Sequence, residues 1–233
     1  NFVKSLVYVT SDKAYKNKEW IWGYRENDEL GGHDPYSASK AAAEIVFSSY
    51  VDSYFAKNND IGLATVRAGN VIGGGDWAKD RIIPDCINAI SAGKEIEVRN
   101  PNATRPWQHV LEPLSGYLLL GMKLYTNPTE YSGAWNFGPN ASSIKTVNIL
   151  AEKVIEVFGK GKIFHNYDPK ANHEASLLHL SCDKSNTILN WYPTWDFDKT
   201  IEKTIKWYLG YLSNEEVLTL SISNINEFLK NSK

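Results

Sequence analysis

The sequence predicts an α/β fold built on a doubly wound parallel sheet, and three observations carry that prediction. The apolar run Leu6-Val7-Tyr8-Val9-Thr10 has the pattern of a fully buried strand. Asp34-Pro35 follows it as a helix start, with a good N-cap and a proline at the first helical position. Leu63-Ala64-Thr65-Val66-Arg67 then reads as a second buried strand, which completes a strand–helix–strand unit. A buried strand so close to Asn1 belongs in the interior of such a sheet, so further strands and helices are expected ahead of it.

The first strand runs into Ser11-Asp12-Lys13. Ligands of doubly wound sheets sit at the carboxyl ends of the strands, which places these three residues at a site. A hydroxyl, a carboxylic acid and an amine in succession supply a hydrogen-bond donor, a general acid and a general base. On local grounds alone they also read as a polar turn. Residues 16–33 form a polar, aromatic loop in which Trp20 and Trp22 suit either a wall over a ligand or a packed surface loop.

In the helix from Pro35, Tyr36 and Lys40 are four apart and share a face. An ammonium beside a phenol favours the phenolate, a base able to take a proton from a sugar or alcohol hydroxyl near neutral pH. An exposed amphipathic helix accounts for the pair equally well. Ala42, Ile45, Val46, Ser49 and Tyr50 recur at helical spacing and form a small apolar face, for the sheet or for a second subunit.

After the second strand, Asn70 and the glycines 73–75 lead into Asp76-Trp77. The glycines lack the spacing of a dinucleotide fingerprint and read as a loop that lets backbone amides approach a ligand. Asn70 suits a phosphate or sugar oxygen, and equally a turn. Helices are expected over Asp80–Gly93, Pro113–Tyr125, Thr146–Phe158 and Thr200–Leu212. One more follows Asp183 to a break at Trp191-Tyr192-Pro193, and a short one closes the chain around Ile222–Leu229. Short strands are expected at Glu95–Arg99 and Gly133–Gly138. Arg99 and Arg105 flank a Pro/Asn turn, where an arginine can hold a phosphate bidentately.

Composition narrows the function. The 233 residues are 42% hydrophobic with a net charge of -2, which allows a sizeable core and argues against a nucleic-acid binder. Cys86 and Cys182 form neither a metal-ligand spacing nor a disulfide framework, which points to a reducing cytoplasm. The histidines show no H-x-x-x-H spacing, so no metal site is expected. No apolar run reaches membrane-spanning length. No G-x-S-x-G elbow is present, which makes Ser11 a poor hydrolase nucleophile.

Taken together, Thr10-Ser11-Asp12-Lys13-Ala14-Tyr15, Tyr36-Ser37-Ala38-Ser39-Lys40 and Arg67-Ala68-Gly69-Asn70-Val71 resemble, in this order, the extended short-chain dehydrogenase/reductase superfamily. Longer stretches resemble its CDP-glucose 4,6-dehydratase family: Lys18 through Asn27, Ala68 through Trp77, Arg105 through Tyr117, and Trp135-Asn136-Phe137-Gly138-Pro139. The resemblance implies a partial Rossmann-type doubly wound sheet with a smaller C-terminal α/β substrate domain. Residues 1–72 would be the remaining part of the NAD-binding domain, with part of 107–140 returning to it, and 73–233 mainly the nucleotide-sugar domain.

The resemblance also implies roles. Tyr36 takes the proton of the sugar's 4-hydroxyl while hydride passes to NAD. Lys40 tunes Tyr36 and bonds the nicotinamide ribose, and Ser11 bonds the 4-oxygen. Asp12 is the acid of the elimination, and Lys13 stands where related dTDP-glucose dehydratases carry a glutamate base. Asn70 and Arg105 are expected on the substrate diphosphate. Gly75, Asp76, Trp77 and Arg81 are weaker candidates for the nucleotide end, and His173 and Glu174 weaker still. CDP-glucose would be the substrate and a second copy the partner, in dideoxysugar synthesis for O-antigen lipopolysaccharide. The alternatives are an NAD-dependent epimerase or decarboxylase of the same fold, or an inactive substrate-binding fragment. The glycine-rich phosphate loop is absent from these residues, and the chain is expected to hold the catalytic groups without most of the NAD site.

Overall fold

The computed structural model describes residues 3–55, 60–166 and 177–232. His173 and Glu174 lie outside the described residues. In chain order the first elements are β1 (Ser5–Val9), α1 (Pro35–Tyr50), β2 (Gly62–Ala68), β3 (Val71–Ile72), α2 (Ile82–Ser91), β4 (Ile96–Val98), β5 (Thr104–Pro106) and β6 (Gln108–His109). They are followed by α3 (Leu111–Thr126), α4 (Pro128–Tyr131), β7 (Gly133–Phe137), β8 (Ile144–Thr146), α5 (Val147–Phe158), β9 (Ile163–His165), α6 (Asp183–Ile188), α7 (Phe197–Leu212) and α8 (Val217–Asn231).

The chain divides into two units. The first comprises 1–69, 112–138 and 178–192, and the second 70–111, 139–177 and 193–233. Residues 178–192, which the sequence reading gives to the substrate domain, therefore fall in the first unit.

The first unit holds a parallel sheet of order β1-β2-β7. Val9 pairs with Val66, and Arg67 with Asn136, so the strands end together at their carboxyl ends. Ala64 and Val66 on one face of β2 join Leu120 and Leu124 of α3, Trp135 and Phe137 of β7, and Trp191 in one apolar cluster. β1 carries a buried-strand pattern but is an edge of this sheet, with Leu6, Tyr8 and Val9 exposed.

The other face of β2 is polar. Arg67 is 3% exposed and forms a bidentate pair with Glu44 of α1, Nε to Oε1 at 2.8 Å and Nη2 to Oε2 at 2.9 Å. Its Nη1 donates to the Tyr15 hydroxyl at 2.7 Å and to the Glu26 carbonyl at 3.0 Å. Tyr15 in turn donates to Asn136 Oδ1 at 2.8 Å, and Thr10 donates to Glu44. Burial raises the pKa of Glu44, but the hydrogen bonds and charge of Arg67 outweigh it and hold the carboxyl below its usual range. Burial likewise opposes the charge on Arg67, and Glu44 overrides it.

The buried residues of α1 are accordingly Ser37, Ala41 and Glu44. The apolar set the spacing singles out, including Ile45, Val46 and Tyr50, faces away from the sheet and is exposed. The periodicity of the helix is right, but its inward face is polar because an arginine waits opposite.

The second unit is built around α2, α5 and α7, with Ile83, Ile87, Ile90, Leu150, Val154, Ile201 and Ile205 in its core. Helix α7 starts at Phe197 rather than Thr200, because Asp196 caps it by accepting from the Lys199 N–H at 2.9 Å. The last helix is longer than its apolar pattern suggests, fifteen residues. His109 is buried edge-on against Trp195 at 4.9 Å, and its Nδ1 accepts from the Leu111 N–H at 3.3 Å. Burial pushes its pKa down to about 4. No helix among the described residues is long and apolar enough to cross a membrane.

Two stability predictions follow from these buried groups. Glu44→Ala leaves Arg67 charged and unpaired, and is expected to cost about 3–5 kcal/mol in denaturant unfolding, whereas Glu44→Leu combined with Arg67→Met should cost much less. Equal losses in the single and double variants would contradict the pairing. His109 is neutral when folded and binds a proton when unfolded, because its folded pKa lies below the unfolded one of 6.5. Its contribution is complete above pH 6.5 and is lost as pH falls toward 4, by about 3 kcal/mol. Unfolding curves of His109→Gln measured from pH 7 to 4 should lack that slope.

Candidate active site

Where β1 ends, Thr10 still bonds the sheet, its N–H donating to Val66 O at 2.9 Å. Ser11 then caps a 3-10 turn over Asp12–Ala14, its Oγ accepting from the Lys13 N–H at 3.2 Å and donating to Asp12 Oδ1 at 3.1 Å. The turn packs against α1. It buries Asp12, 4% exposed, and leaves Lys13 half-buried. Tyr117 of α3 lies within electrostatic reach of Asp12. Burial first, and then that carboxylate, raise the Tyr117 pKa, so its phenol stays protonated beside the acid.

Helix α1 begins as its sequence dictates. The Asp34 carboxylate accepts from the Ser37 N–H at 3.0 Å and from the Ser37 hydroxyl at 2.6 Å, and Pro35 takes the first turn. These bonds hold the Asp34 pKa below the usual carboxylate range, and the charge of Lys13 adds to the effect. Lys13 is thereby placed beside the start of α1. Tyr36 is 57% exposed, and Lys40 Nζ stands 5.7 Å from the centroid of its ring, over its face. Ser11, Asp12, Lys13, Tyr36 and Lys40 thus belong to two adjoining segments of the first unit, a capped turn and the first two turns of a helix. An exposed phenol, a buried carboxyl and two lysine side chains are groups of the kind that exchange protons with a polyol.

The second unit carries the other predicted residues. The Asn70 carbonyl accepts from the Gln108 N–H at 3.1 Å. The loop after β3 then closes on α7. Gly74 lies so near Trp207 that an added Cβ would meet its ring at 2.1 Å, and Gly75 takes φ +86°. The Asp76 carbonyl accepts from the Tyr208 hydroxyl at 2.6 Å, and its carboxylate takes Arg81 Nη1 at 3.0 Å. Trp77 stands edge-on to Tyr208 with centroids 5.1 Å apart. Asp76, Trp77 and Arg81 therefore form one surface patch. Arg105 lies on β5 opposite Lys145 of β8, with Nη1 donating to the Thr104 carbonyl at 2.8 Å.

The residues that orient this site, Glu44, Arg67, Tyr15 and Asn136, escape sequence reading as a network. Only the polar Glu44 within an apolar helical pattern, and Arg67 at the end of a buried strand, could have signalled it.

The model of a protein family described as "GDP-mannose 4,6 dehydratase" matches residues 4–204. CDP-glucose 4,6-dehydratase of Salmonella typhimurium is 44% identical over 97% of this chain, which spans 64% of that protein's length. Among solved structures, dTDP-glucose 4,6-dehydratase of Bacillus anthracis, in complex with NAD, is similar at a TM-score of 0.72 and 23% identity, over 88% of this chain and 61% of its own. That of Streptomyces venezuelae gives 0.74 and 19%, over 91% and 62%. These two likenesses show the fold, a Rossmann-type parallel sheet. A capped Ser-Asp-Lys turn packed on a Tyr-x-x-x-Lys helix, and a family match running from β1 into α7, lead to one assignment: the chain belongs to the GDP-mannose 4,6 dehydratase family.

Proposed function

We propose that the protein takes part in the NAD-dependent dehydration of CDP-glucose to CDP-4-keto-6-deoxy-glucose, as a hydro-lyase. The observation that carries this reading is the 44% identity to a CDP-glucose 4,6-dehydratase over nearly the whole chain, with Ser11, Asp12 and Lys13 on the turn that packs on the Tyr36 helix. Tyr36 and Lys40 suit the nicotinamide ribose, since they offer a hydroxyl and an ammonium from adjoining turns of one helix.

Tyr36 and Lys40 would hold NAD at its ribose, and the cofactor would supply a hydride acceptor for C4 and a hydride donor for C6. Tyr36 takes the proton of the 4-hydroxyl, and Lys40 holds positive charge beside the phenolate that does so. Ser11 turns its hydroxyl from Asp12 to the 4-oxygen. Once C4 is a ketone, the proton on C5 is acidic. Lys13 in its amine form removes it, and Asp12 gives a proton to the 6-hydroxyl, which departs as water. Asn70 and Arg105 are assigned to the diphosphate, and the Asp76, Trp77 and Arg81 patch with Gly75 to the nucleotide end.

The exposed apolar face of α1, Ile45, Val46 and Tyr50, continued by Tyr54, suits a second copy of the chain, and we read the protein as a homodimer. The setting would be the cytoplasm, in dideoxysugar synthesis for O-antigen.

Four measurements test this reading. Protein expressed from the whole reading frame and incubated with CDP-glucose should yield a 4-keto-6-deoxy sugar that absorbs in alkali, and no such product would sink the assignment. Tyr36→Phe should abolish C4 oxidation. Lys13→Ala should oxidise C4 but stall before elimination, leaving NADH absorbance trapped on the enzyme, and an unchanged elimination rate would remove Lys13 from the mechanism. Val46→Glu should shift the protein to monomer in sedimentation.

A further inference from the structure

The loop with the two tryptophans takes no part in the site described above, yet it is built with unusual rigidity. A column of rings rises from the buried ion pair. The Arg67 guanidinium lies 4.8 Å over Tyr15, Tyr15 stacks on Tyr24 at 5.2 Å, and Tyr24 packs on Trp20 at 5.2 Å. Trp22 meets Trp20 at 5.8 Å and 80°, so the two indoles form a corner. Backbone bonds lock the base of the corner, the Tyr24 N–H to His179 O and the Ser181 N–H to Tyr24 O, each at 2.9 Å. Gly23 sits so close to that segment that a Cβ would lie 2.6 Å from Ser181 N. Glu19 is held at φ +51°, its N–H bonded to Asn17 Oδ1 at 3.1 Å.

The corner opens onto a cavity of about 430 Å³ lined by Trp20, Trp22, Gly23, Arg25, Asp28, Ser181 and Asp183. Trp22 is 65% exposed, and Ile21 beside it 75%. The polar lining is already oriented. Asp28 accepts from the Arg25 N–H at 2.8 Å and from Arg25 Nη2 at 3.3 Å, while Ser181 donates to Asp183 Oδ2 at 2.9 Å.

We propose that this cavity is a binding site for a neutral pyranose ring, separate from the residues assigned to the reaction. The chemistry of the lining selects that class. A pyranose presents one face of C–H groups, which packs on an indole, and a rim of hydroxyls, which donate to carboxylates and accept from a guanidinium. Arg25, with the Lys18 Nζ 5.1 Å from the Trp20 ring centroid, balances Asp28 and Asp183, which favours an uncharged ligand over phosphates and nucleotides. Arg25 in the same lining opposes a cation. The volume lies in the range of small-ligand sites and exceeds one hexose, so a second sugar unit fits. Because the corner is held from behind by stacked rings and backbone bonds, little order is lost when a ligand enters.

Ligand-observed saturation-transfer NMR with methyl β-D-glucopyranoside and with cellobiose tests the site. Binding is expected with a Kd of about 1–10 mM, with the strongest transfer to the ring C–H protons. Trp22→Ala, at an exposed position, should weaken it about 3- to 10-fold with an unchanged far-UV spectrum. Tyr36→Phe should leave it intact, which separates this proposal from the reaction proposed above. Absence of transfer, equal transfer in Trp22→Ala, loss of transfer in Tyr36→Phe, or stronger transfer to choline or CMP than to either sugar would each overturn it.

Discussion

The bidentate pair between Arg67 and Glu44 governs the first unit. Two charges withdrawn from water are tolerated only when each meets the other in good geometry and the remaining donors find partners. Here they do, with the Tyr15 hydroxyl and the Glu26 carbonyl accepting from Nη1 of the guanidinium. Such a pair adds little net stability compared with well-packed apolar side chains. Its consequence is register. Glu44 can meet Arg67 in one rotation of α1 only, and that rotation decides where Lys40 and Tyr36, one and two turns earlier on the same helix, come to stand.

The same guanidinium reaches in a second direction. Tyr15 ends the turn that carries Ser11, Asp12 and Lys13, and its hydroxyl links Arg67 to Asn136 on β7. Burial pushes the Tyr15 pKa up to about 12 even with Arg67 opposing, so it remains a phenol and can donate. Asn136 passes the connection on through Nδ2 to the carbonyls of Tyr24 and Ser181, at 2.8 and 3.1 Å. One buried cation therefore ties the Ser11-Asp12-Lys13 turn, α1 and the tryptophan loop to the sheet. The segments that carry the candidate site are thus anchored on a single residue of β2.

The second unit is organised by apolar packing instead. Its loop from Gly73 to Arg81 is shaped by what lies on α7: the Trp207 ring excludes any side chain at position 74, and the Tyr208 hydroxyl captures the Asp76 carbonyl. Asp76, Trp77 and Arg81 form a patch because the loop is pulled onto that helix, so their grouping depends on residues about 130 positions later in the chain.

The kind of sheet, the helix start at Asp34-Pro35 and the family motifs were legible in the sequence. These are local matters: an apolar run marks a strand, and a helix end must satisfy its own N–H groups, both within a short window. Tertiary structure alone decided which face of α1 turns inward. Periodicity groups Ile45, Val46 and Tyr50 on one face, for the sheet or for a second subunit, and an arginine on β2, more than twenty residues away, draws Glu44 in and leaves them outside. It alone decided that Trp20 and Trp22 form a corner over a cavity. The physical reason is common to all of these: burying a charge or a polar edge is possible only where a partner from a distant segment arrives, and no window of sequence contains both partners.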